Sequence, residues 1–312
     1  MVREIFNRIT GKALQKAIEL LDTQGPLTGK EFIEKTKMDE FLAWRICNSC
    51  DKIITKTVGK RYLRFDKHVE EYARLSPSII REFYGYTVIG TKAQTEEIDN
   101  KARLIHQDII EISKKKFKLA QDIIRKIVES EENPQIIKTS ACFIIAGDVA
   151  HEMSHLEPRP EPSTGELVKG SDLDIIVITQ NLPDSIVKNL DSAIYEQKSF
   201  LLKNPSYNEE IDYIIKDIKK VKEQLKFDCF ESMVASKILH EGKYLYGSKD
   251  IFEKIKKMLL EEGIPEKIEA LEERALINRE YAISYLLNCQ EPLSEEESMK
   301  LFYTKEEKEE FF

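Results

Sequence analysis

Three aspartates in apolar surroundings are the residues of this sequence best suited to do chemistry. Asp172 and Asp174 stand two apart at the start of the run GSDLDIIVI, where the strand period of two puts both carboxylates on one face. Asp228 lies in KFDCF, which predicts another strand, and an acid in that setting needs a partner or a metal. Oxygen ligands of this kind suit Mg²⁺, with Mn²⁺ as the alternative. Carboxylates around divalent ions predict activation of a hydroxyl nucleophile and stabilisation of a leaving pyrophosphate.

These aspartates belong to an ordered set of motifs: FIIAGD, then GSDLDIIVI, then KFDCFES followed by ILHEGKYLYGS. The set resembles the polymerase-beta-type nucleotidyltransferase superfamily, and its minimal members in particular, over about residues 138–248. That family has a strand ending in Gly-Gly or Gly-Ser, an Asp-x-Asp on the next strand and a third Asp on a later strand. The resemblance implies a mixed β-sheet flanked by helices. It also implies transfer of a nucleoside monophosphate from an NTP to a hydroxyl.

The resemblance also implies roles for single residues. The implied catalytic residues and metal ligands are Asp172, Asp174 and Asp228, and the implied nucleotide-binding residues are Gly147, Asp148, Gly170 and Ser171. Arg274 or Arg279 of the C-terminal helices is expected to offset phosphate charge.

Asp148 departs from the family pattern, which usually has Ser after the strand-end glycine. A carboxylate there would repel a triphosphate unless a metal or a cation lies between them. The gap from Gly147 to the Asp pair is also longer than usual, and the surplus HLEPRPEPSTGELVKG predicts an inserted loop. Both departures leave open a degenerate, inactive domain.

A second motif, HEMSH at 151–155, matches the H-E-x-x-H string of zinc peptidases. A peptidase needs a helix several turns long here, but Pro158 and Pro160 would end a helix soon after His155. The extended peptidase pattern is also absent. The stretch is instead expected to be a short helix after the strand-end glycine. There, His151 or His155 would contact the nucleotide or lie on a plain surface helix.

Composition and charge narrow the class of protein. The 312 residues suffice for two modest domains. The net charge is −8, yet residues 1–68 hold 14 Lys and Arg against 9 Asp and Glu, a balance of +5. That asymmetry predicts a basic N-terminal module on an acidic body. No apolar run reaches the roughly 18 residues that span a bilayer, and the N-terminus lacks a signal-peptide core. With five cysteines suited to a reducing compartment, the expected location is cytoplasmic, without a membrane partner.

Residues 1–88 predict a winged helix-turn-helix domain. Helical spacing in GKALQKAIELLDTQ, TGKEFIEKTK and MDEFLAWRICNSC predicts three helices, with Thr28 as the N-cap of the second. ITKTVGKRYLRFD alternates apolar and polar residues around Gly59 and predicts a hairpin, the wing. The third helix of this fold enters the DNA major groove and the wing touches the backbone. The predicted nucleic-acid contacts are Arg45, Lys60, Arg61 and Arg64. A winged helix used only for protein contacts is the alternative.

The remaining chain is expected to have three parts in an α+β protein. Residues 89–135 predict a helical connector around a long amphipathic helix, 136–248 the nucleotidyltransferase core, and 249–312 a helical C-terminal region. Within the core, residues 183–225 are expected to be helical. Two functions stay open at this point. One is a nucleotidyltransferase that uses an NTP and an RNA, protein or small-molecule acceptor. The other is a winged-helix DNA-binding regulator with a catalytically degenerate, nucleotide-sensing domain.

Overall fold

The computed structural model describes residues 2–161, 165–289, 293–305 and 307–308, without the side chains of residues 2–10 and 70. Helices and several small sheets are mixed along this chain, so the expected α+β class is confirmed. The chain divides into two compact units: unit 1 is Met1–Asp108 with Glu272–Phe312, and unit 2 is Ile109–Leu271. None of the helices within the described residues is both long and apolar enough to cross a membrane.

The first part of unit 1 contains three of the predicted helices. Its elements are α1 (Val2–Gln24), β1 (Leu27–Thr28), α2 (Gly29–Thr36), α3 (Glu40–Ser49), β2 (Ile53–Thr57), β3 (Tyr62–Phe65), β4 (Ala73–Ser76), α4 (Ile79–Tyr86) and β5 (Thr87–Thr91). Thr28 caps α2 as predicted. Its Oγ1 accepts from the Glu31 amide at 3.2 Å, and the Glu31 carboxylate accepts from the Thr28 amide at 2.7 Å. This reciprocal capping box fixes where α2 begins.

The hairpin predicted between β2 and β3 does not form. Both strands are present, and Gly59 has a positive φ of 87° between them, but each strand pairs elsewhere. β5 lies between β1 and β2 and is antiparallel to both, while β3 pairs with β4. The prediction was wrong because β5, the run TVIGT, is buried along its whole length and is rich in β-branched residues. Such a run is the stronger partner for β2, and the sequence had suggested only a connecting segment there.

The long amphipathic helix predicted from about residue 94 is confirmed as α5 (Thr95–Ser130). The elements that follow are α6 (Pro134–Ser140), β6 (Ala141–Ile145), α7 (Gly147–His151), β7 (Pro158–Pro160), β8 (Leu167–Lys169), β9 (Leu173–Thr179), α8 (Asp184–Lys203), β10 (Ile211–Asp217), α9 (Ile218–Gln224), α10 (Phe230–Glu241), β11 (Lys243–Gly247), α11 (Lys249–Glu261), α12 (Ile264–Asn288) and α13 (Glu295–Leu301). The boundaries between the two units fall within α5 and within α12.

Unit 2 is built on a four-stranded mixed sheet in the order β10-β9-β6-β11. β9 runs parallel to β10 and antiparallel to β6, and β11 is antiparallel to β6. The strands predicted in FIIAGD and GSDLDIIVI are confirmed as β6 and β9. Their side chains pack into an apolar cluster with residues of α5 and α8, among them Ile124, Phe143, Val177 and Leu190. These two buried strands therefore form a rigid support for residues at their ends.

Two predictions about unit 2 are wrong. The segment 183–225 is not helical throughout, since β10 separates α8 from α9. The segment around Asp228 is not a strand, because residues 225–229 form a turn and loop before α10. The missed strand follows a turn at 204–208 and has alternating apolar residues, Ile211, Tyr213 and Ile215, which is the pattern of a half-buried strand.

The core of unit 1 brings residues of its two sequence segments together. Phe32 and Trp44 share one apolar cluster with Leu286 and Phe302. The Trp44 and Phe302 rings meet edge to face, with centroids 5.6 Å apart. The Arg279 guanidinium of α12 also donates a hydrogen bond to the Pro77 carbonyl at 2.6 Å. Unit 1 is therefore completed by residues from α12 and α13.

Lys256 closes the C-terminal end of α10. From α11, its Nζ donates to the carbonyls of Leu239, His240 and Gly242 at 2.8, 2.6 and 2.9 Å. The last carbonyls of a helix lack partners within the helix, so they depend on such donors. We expect Lys256→Met to lower the free energy of unfolding by about 2 kcal/mol, measured by urea denaturation.

The matched control is the next residue, Lys257, whose side chain is 76% exposed and pairs with Glu261 on its own helix. Lys257→Met should change stability by less than about 0.5 kcal/mol. Equal losses in the two variants would show that the three carbonyl contacts of Lys256 contribute nothing specific.

Candidate metal centre

Three carboxylates converge at one edge of the unit 2 sheet. Asp172 directly precedes β9, Asp174 is its second residue, and Asp212 lies on the neighbouring strand β10. Asp174 and Asp212 are register partners in the parallel pairing. One oxygen from each of the three residues lies within 4.8 Å of the others. Mutual spacing of this kind, with hard oxygen donors, suits a divalent cation such as Mg²⁺ or Mn²⁺.

Asp228, predicted as the third ligand, has a different setting. It lies in the loop before α10, where its Oδ1 accepts a hydrogen bond from Ser232 Oγ at 3.2 Å. Among the described residues, the group of carboxylates that could share a cation contains Asp212 and not Asp228. Sequence analysis missed Asp212 because its strand was taken as helix.

Gly147 brings the backbone against this centre. It has a φ of +60° at the start of α7, and a Cβ placed on it would come within 1.9 Å of Asp174 Oδ2. The preceding residue, Ala146, continues the β6 pairing through its amide, which donates to the Asp174 carbonyl at 3.0 Å. The glycine predicted at the strand end therefore lies directly beside the carboxylate pair.

We expect Gly147→Ala to lower the free energy of unfolding of unit 2 by about 2–4 kcal/mol, because it adds steric overlap to backbone strain. Gly165 provides the matched control, since it also has a positive φ, +71°, but among the described residues its added Cβ would meet nothing within 4 Å. Gly165→Ala should cost only about 1 kcal/mol from the backbone alone. If urea denaturation gives the same cost for both, the close approach at Asp174 is not a constraint.

The residues predicted to bind phosphates are held by hydrogen bonds within the protein. Ser171 Oγ donates to Asp148 Oδ2 at 2.6 Å, and the Ser171 amide donates to the His155 carbonyl at 3.2 Å. The Gly170 amide donates to the Val168 carbonyl at 3.2 Å. Ser171, the residue just before Asp172, thus binds Asp148 through its hydroxyl. Asp148 is thereby positioned next to the centre as a fourth carboxylate.

Burial and mutual repulsion raise the pKa values of the carboxylates on β9. Burial raises the pKa of Asp174 well above its usual range, and the charges of Asp172, Asp148 and Asp212 raise it further. The pKa of Asp172 is also raised, chiefly by burial, against the opposing charge of Arg159. A site that resists ionisation in this way favours a proton or a bound cation, since either one relieves the repulsion.

Arg159 is a buried cation at this edge, where Lys198 also pairs with Asp212 at 3.1 Å. Arg159 is 5% exposed, and its Nη2 lies 2.9 Å from Glu210 Oε2 and 3.6 Å from Asp172 Oδ2. Its Nε donates to the Gly170 carbonyl at 2.9 Å. Arg159 comes from β7, within the stretch predicted as an inserted loop. That stretch therefore contributes a buried counter-ion, for which the sequence offered no signal beyond a single arginine among prolines.

A cavity of about 240 Å³ opens beside the carboxylates. Asp174, Asp212, Gly147, Lys237 and Glu241 are among its lining residues. His151 Nε2 lies 2.9 Å from Glu241 Oε2, and Lys237 also pairs with Glu241. Burial by itself would raise the pKa of Glu241, but the hydrogen bond from His151 and the charge of Lys237 lower it below its usual value. Lys237, a residue that sequence analysis did not single out, is thus a cation on the wall of the cavity.

The HEMSH motif does not form a zinc-peptidase helix. α7 ends at His151, and Glu152 adopts a left-handed conformation with φ 59°. His151 and His155 therefore do not share a helical face. Neither histidine belongs to the metal-compatible group found among the described residues.

The predicted nucleic-acid contacts lie in or near α3, β2 and β3 of unit 1. The Arg45 guanidinium lies 5.9 Å from the centre of the Phe41 ring, and Lys60 is exposed after Gly59. Arg61 forms a two-point ion pair with Glu82, at 2.6 and 2.8 Å. Arg64 lies on β3.

The two arginines expected to offset phosphate charge also belong to unit 1. There, Arg274 pairs with Glu71, and Arg279 pairs with Glu82. Both side chains therefore already have carboxylate partners.

Neither a protein-family model nor a curated protein matches this chain.

Proposed function

We propose that this chain is a metal-dependent nucleotidyltransferase that moves a nucleoside monophosphate from an NTP to a hydroxyl acceptor and releases pyrophosphate. The observation that carries the proposal is the convergence of Asp172, Asp174 and Asp212, whose oxygens lie within 4.8 Å of one another beside Gly147. Phosphoryl-group transfer needs cations close to the phosphates, and a cluster of carboxylates is how proteins hold them.

The order of the strands supports the same proposal. A strand that leads into a glycine, β6, pairs with a strand carrying Asp-x-Asp, β9, and a third Asp lies on the later strand β10. This is the pattern of the polymerase-beta-type nucleotidyltransferases that the sequence resembles, with Asp212 in the place first given to Asp228. Three elements therefore agree with this pattern in order and in space.

The surrounding side chains suit an NTP. Asp172, Asp174 and Asp212 would hold Mg²⁺ or Mn²⁺, which when bound neutralises phosphate charge and favours the ionised form of a hydroxyl. Lys237, 12% exposed on the cavity wall and paired with Glu241, can turn its positive charge to a phosphate that competes with that carboxylate. Asp212 is the most open of the three, with its side chain 63% exposed, so an acceptor hydroxyl can reach it from solvent although it also pairs with Lys198 at 3.1 Å. Its carboxylate can take the hydroxyl proton.

Label transfer tests the proposal. The protein is incubated with each α-labelled NTP, Mg²⁺ or Mn²⁺, and total RNA or cell lysate, beside an Asp172→Ala/Asp174→Ala variant. We expect labelled product and pyrophosphate with the natural chain and neither with the variant. Absence of transfer under every condition, or its persistence in the variant, would overturn the proposal.

Asp148 favours a second candidate, a regulator that binds a nucleotide without turning it over. It adds a negative charge beside the centre and occupies the Ser171 hydroxyl, which the first proposal would use for phosphate. In that case, NTP with Mg²⁺ should raise the melting temperature while label transfer stays absent. A transfer product, or no thermal response to any NTP, excludes the regulator.

We also propose that the N-terminal elements are a winged helix that binds nucleic acid. The support is the order α1-β1-α2-α3-β2, with a sheet β1-β5-β2 in which residues 58–86 take the place of a short wing. We expect salt-dependent retardation of duplex DNA in gels, weakened by Lys60→Glu and Arg45→Glu. Arg61 is a poor test residue because it holds Glu82. Unchanged binding in both variants would disprove this role.

A further inference from the structure

Unit 1 contains a cavity of about 340 Å³, of the size that small organic ligands occupy. Part of its wall is apolar, including Val69, Leu75, Ile79 and Leu301. Four other lining side chains are basic or imidazole groups: His68, Arg74, Arg279 and Lys300. None of the described lining residues is acidic. The cavity is therefore amphipathic, and its polar part is cationic.

Arg279 has donors that the described part of the chain does not satisfy. Its side chain is 6% exposed, and its Nη1 donates to the Pro77 carbonyl at 2.6 Å. Nη2 lies 3.1 Å from Glu82 Oε1 as an ion pair, yet neither Nη2 nor Nε has a hydrogen-bond acceptor in the described part of the chain. Buried donors without acceptors are rare in native proteins, and each one calls for an explanation. One explanation that fits the shape and charge of this cavity is a ligand that brings a hydrogen-bond acceptor.

The acids that pair with these cations lie outside the lining of the cavity. Glu82 is shared between Arg279 and Arg61, so one carboxylate serves two guanidinium groups. Arg74 is compensated by Asp66 at 2.8 Å. Lys300 is half exposed and pairs with Glu296 at the surface. Glu280 acts on Arg61 and buried Glu307 on Arg74, but none of these acids is among the lining residues of the cavity, so the described cavity wall itself stays cationic.

We propose that this cavity binds a small organic anion, consisting of one carboxylate or phosphate group joined to an apolar body. The anionic group pairs with the guanidinium of Arg279 in competition with Glu82, and the body packs on the apolar wall. This binding site is separate from the nucleotidyltransferase proposal, and either one can fail without the other.

Octanoate is the probe that tests the site, with two partial probes beside it: 1-octanol, which has only the apolar body, and inorganic phosphate, which has only the charge. We expect saturable octanoate binding to the full chain by calorimetry, at least about tenfold tighter than either partial probe. Octanol binding as tight as octanoate would show a merely apolar crevice. Phosphate binding as tight would show an unspecific cationic surface, and no saturable octanoate binding below 10 mM, about the weakest affinity such a site should show, would overturn the proposal.

Two exposed positions allow variants that keep the fold. Lys300→Glu reverses a charge at the cavity and should weaken octanoate binding about threefold to tenfold. Asn278→Trp adds bulk to an exposed lining position and should block binding. The control is Lys305→Glu, an exposed charge reversal outside the lining, which should leave the affinity within about twofold. Unchanged affinity in both cavity variants contradicts the site even if octanoate binds elsewhere.

Discussion

Asp212→Asn should lower nucleotidyl transfer at least about 100-fold, while Asp228→Asn should keep it within about threefold. The contrast follows from position. Asp212 is in register with Asp174 on the adjacent strand, whereas Asp228 lies in a loop and accepts a hydrogen bond from Ser232. Steady-state rates of label transfer at saturating Mg²⁺ measure the effect. Equal losses in the two variants, or a larger loss for Asp228→Asn, would move the centre away from β10.

A loss of stability in Asp212→Asn does not account for the expected difference in transfer rate. Burial and repulsion among carboxylates already raise the pKa of Asp174, so replacing a neighbouring charge by a neutral amide relieves the metal-free protein. The substitution also removes the largely exposed ion pair with Lys198, worth up to about 1 kcal/mol, so without Mg²⁺ the variant should melt within a few degrees of the natural chain. It should also lose part of the melting-temperature increase that Mg²⁺ produces, because a cation that binds the folded state stabilises it.

Arg159→Met should lower the free energy of unfolding of unit 2 by about 3–5 kcal/mol. The substitution leaves Glu210, itself 7% exposed, without its counter-ion and beside Asp172. Burial raises the pKa of Glu210 even with Arg159 present. Without the arginine, this acid should hold its proton to higher pH in the folded state. The destabilisation measured in urea should therefore be smaller at pH 5 than at pH 7.5, both chosen as working conditions.

Two further variants separate charge from packing at Arg159. The double variant Arg159→Met/Glu210→Met removes both buried charges and should recover at least about half of the lost stability. Arg125→Met, which removes a 53% exposed cation paired with Asp122 on α5, should cost less than about 1 kcal/mol. If the double variant is as unstable as the single one, the side chain of Arg159 acts through packing and not as a counter-ion.

Sequence pattern was sufficient where a local signal and the tertiary environment agree. β6 and β9 are continuous apolar runs and lie at the centre of a sheet, where burial on both faces demands that composition. Thr28 capped α2 as predicted because a capping box is local chemistry. Asp172 and Asp174 came together because two residues two apart on a strand share a face.

The features that could not be predicted from the sequence depend on pairings between residues distant in the chain. β10 lies at the edge of its sheet, so its apolar alternation is weak and charged residues interrupt it. The choice of β5 as the partner of β2 depends on a strand 30 residues away, and no turn signal points to it. Arg159 and Lys237 are single cations among many, and only the folded chain shows that they lie beside the carboxylates.

The discontinuity of unit 1 has a consequence for synthesis on the ribosome. Unit 2 is one continuous segment, so all its residues can emerge and fold in sequence. The core of unit 1 is complete only when Leu286 and Phe302 have been added. The helices and strands from the first hundred residues are synthesised long before these two residues. The contacts of unit 1 are therefore of high sequence separation, which slows folding. We expect Trp44, whose ring packs against Phe302 in the folded chain, to stay accessible during that interval.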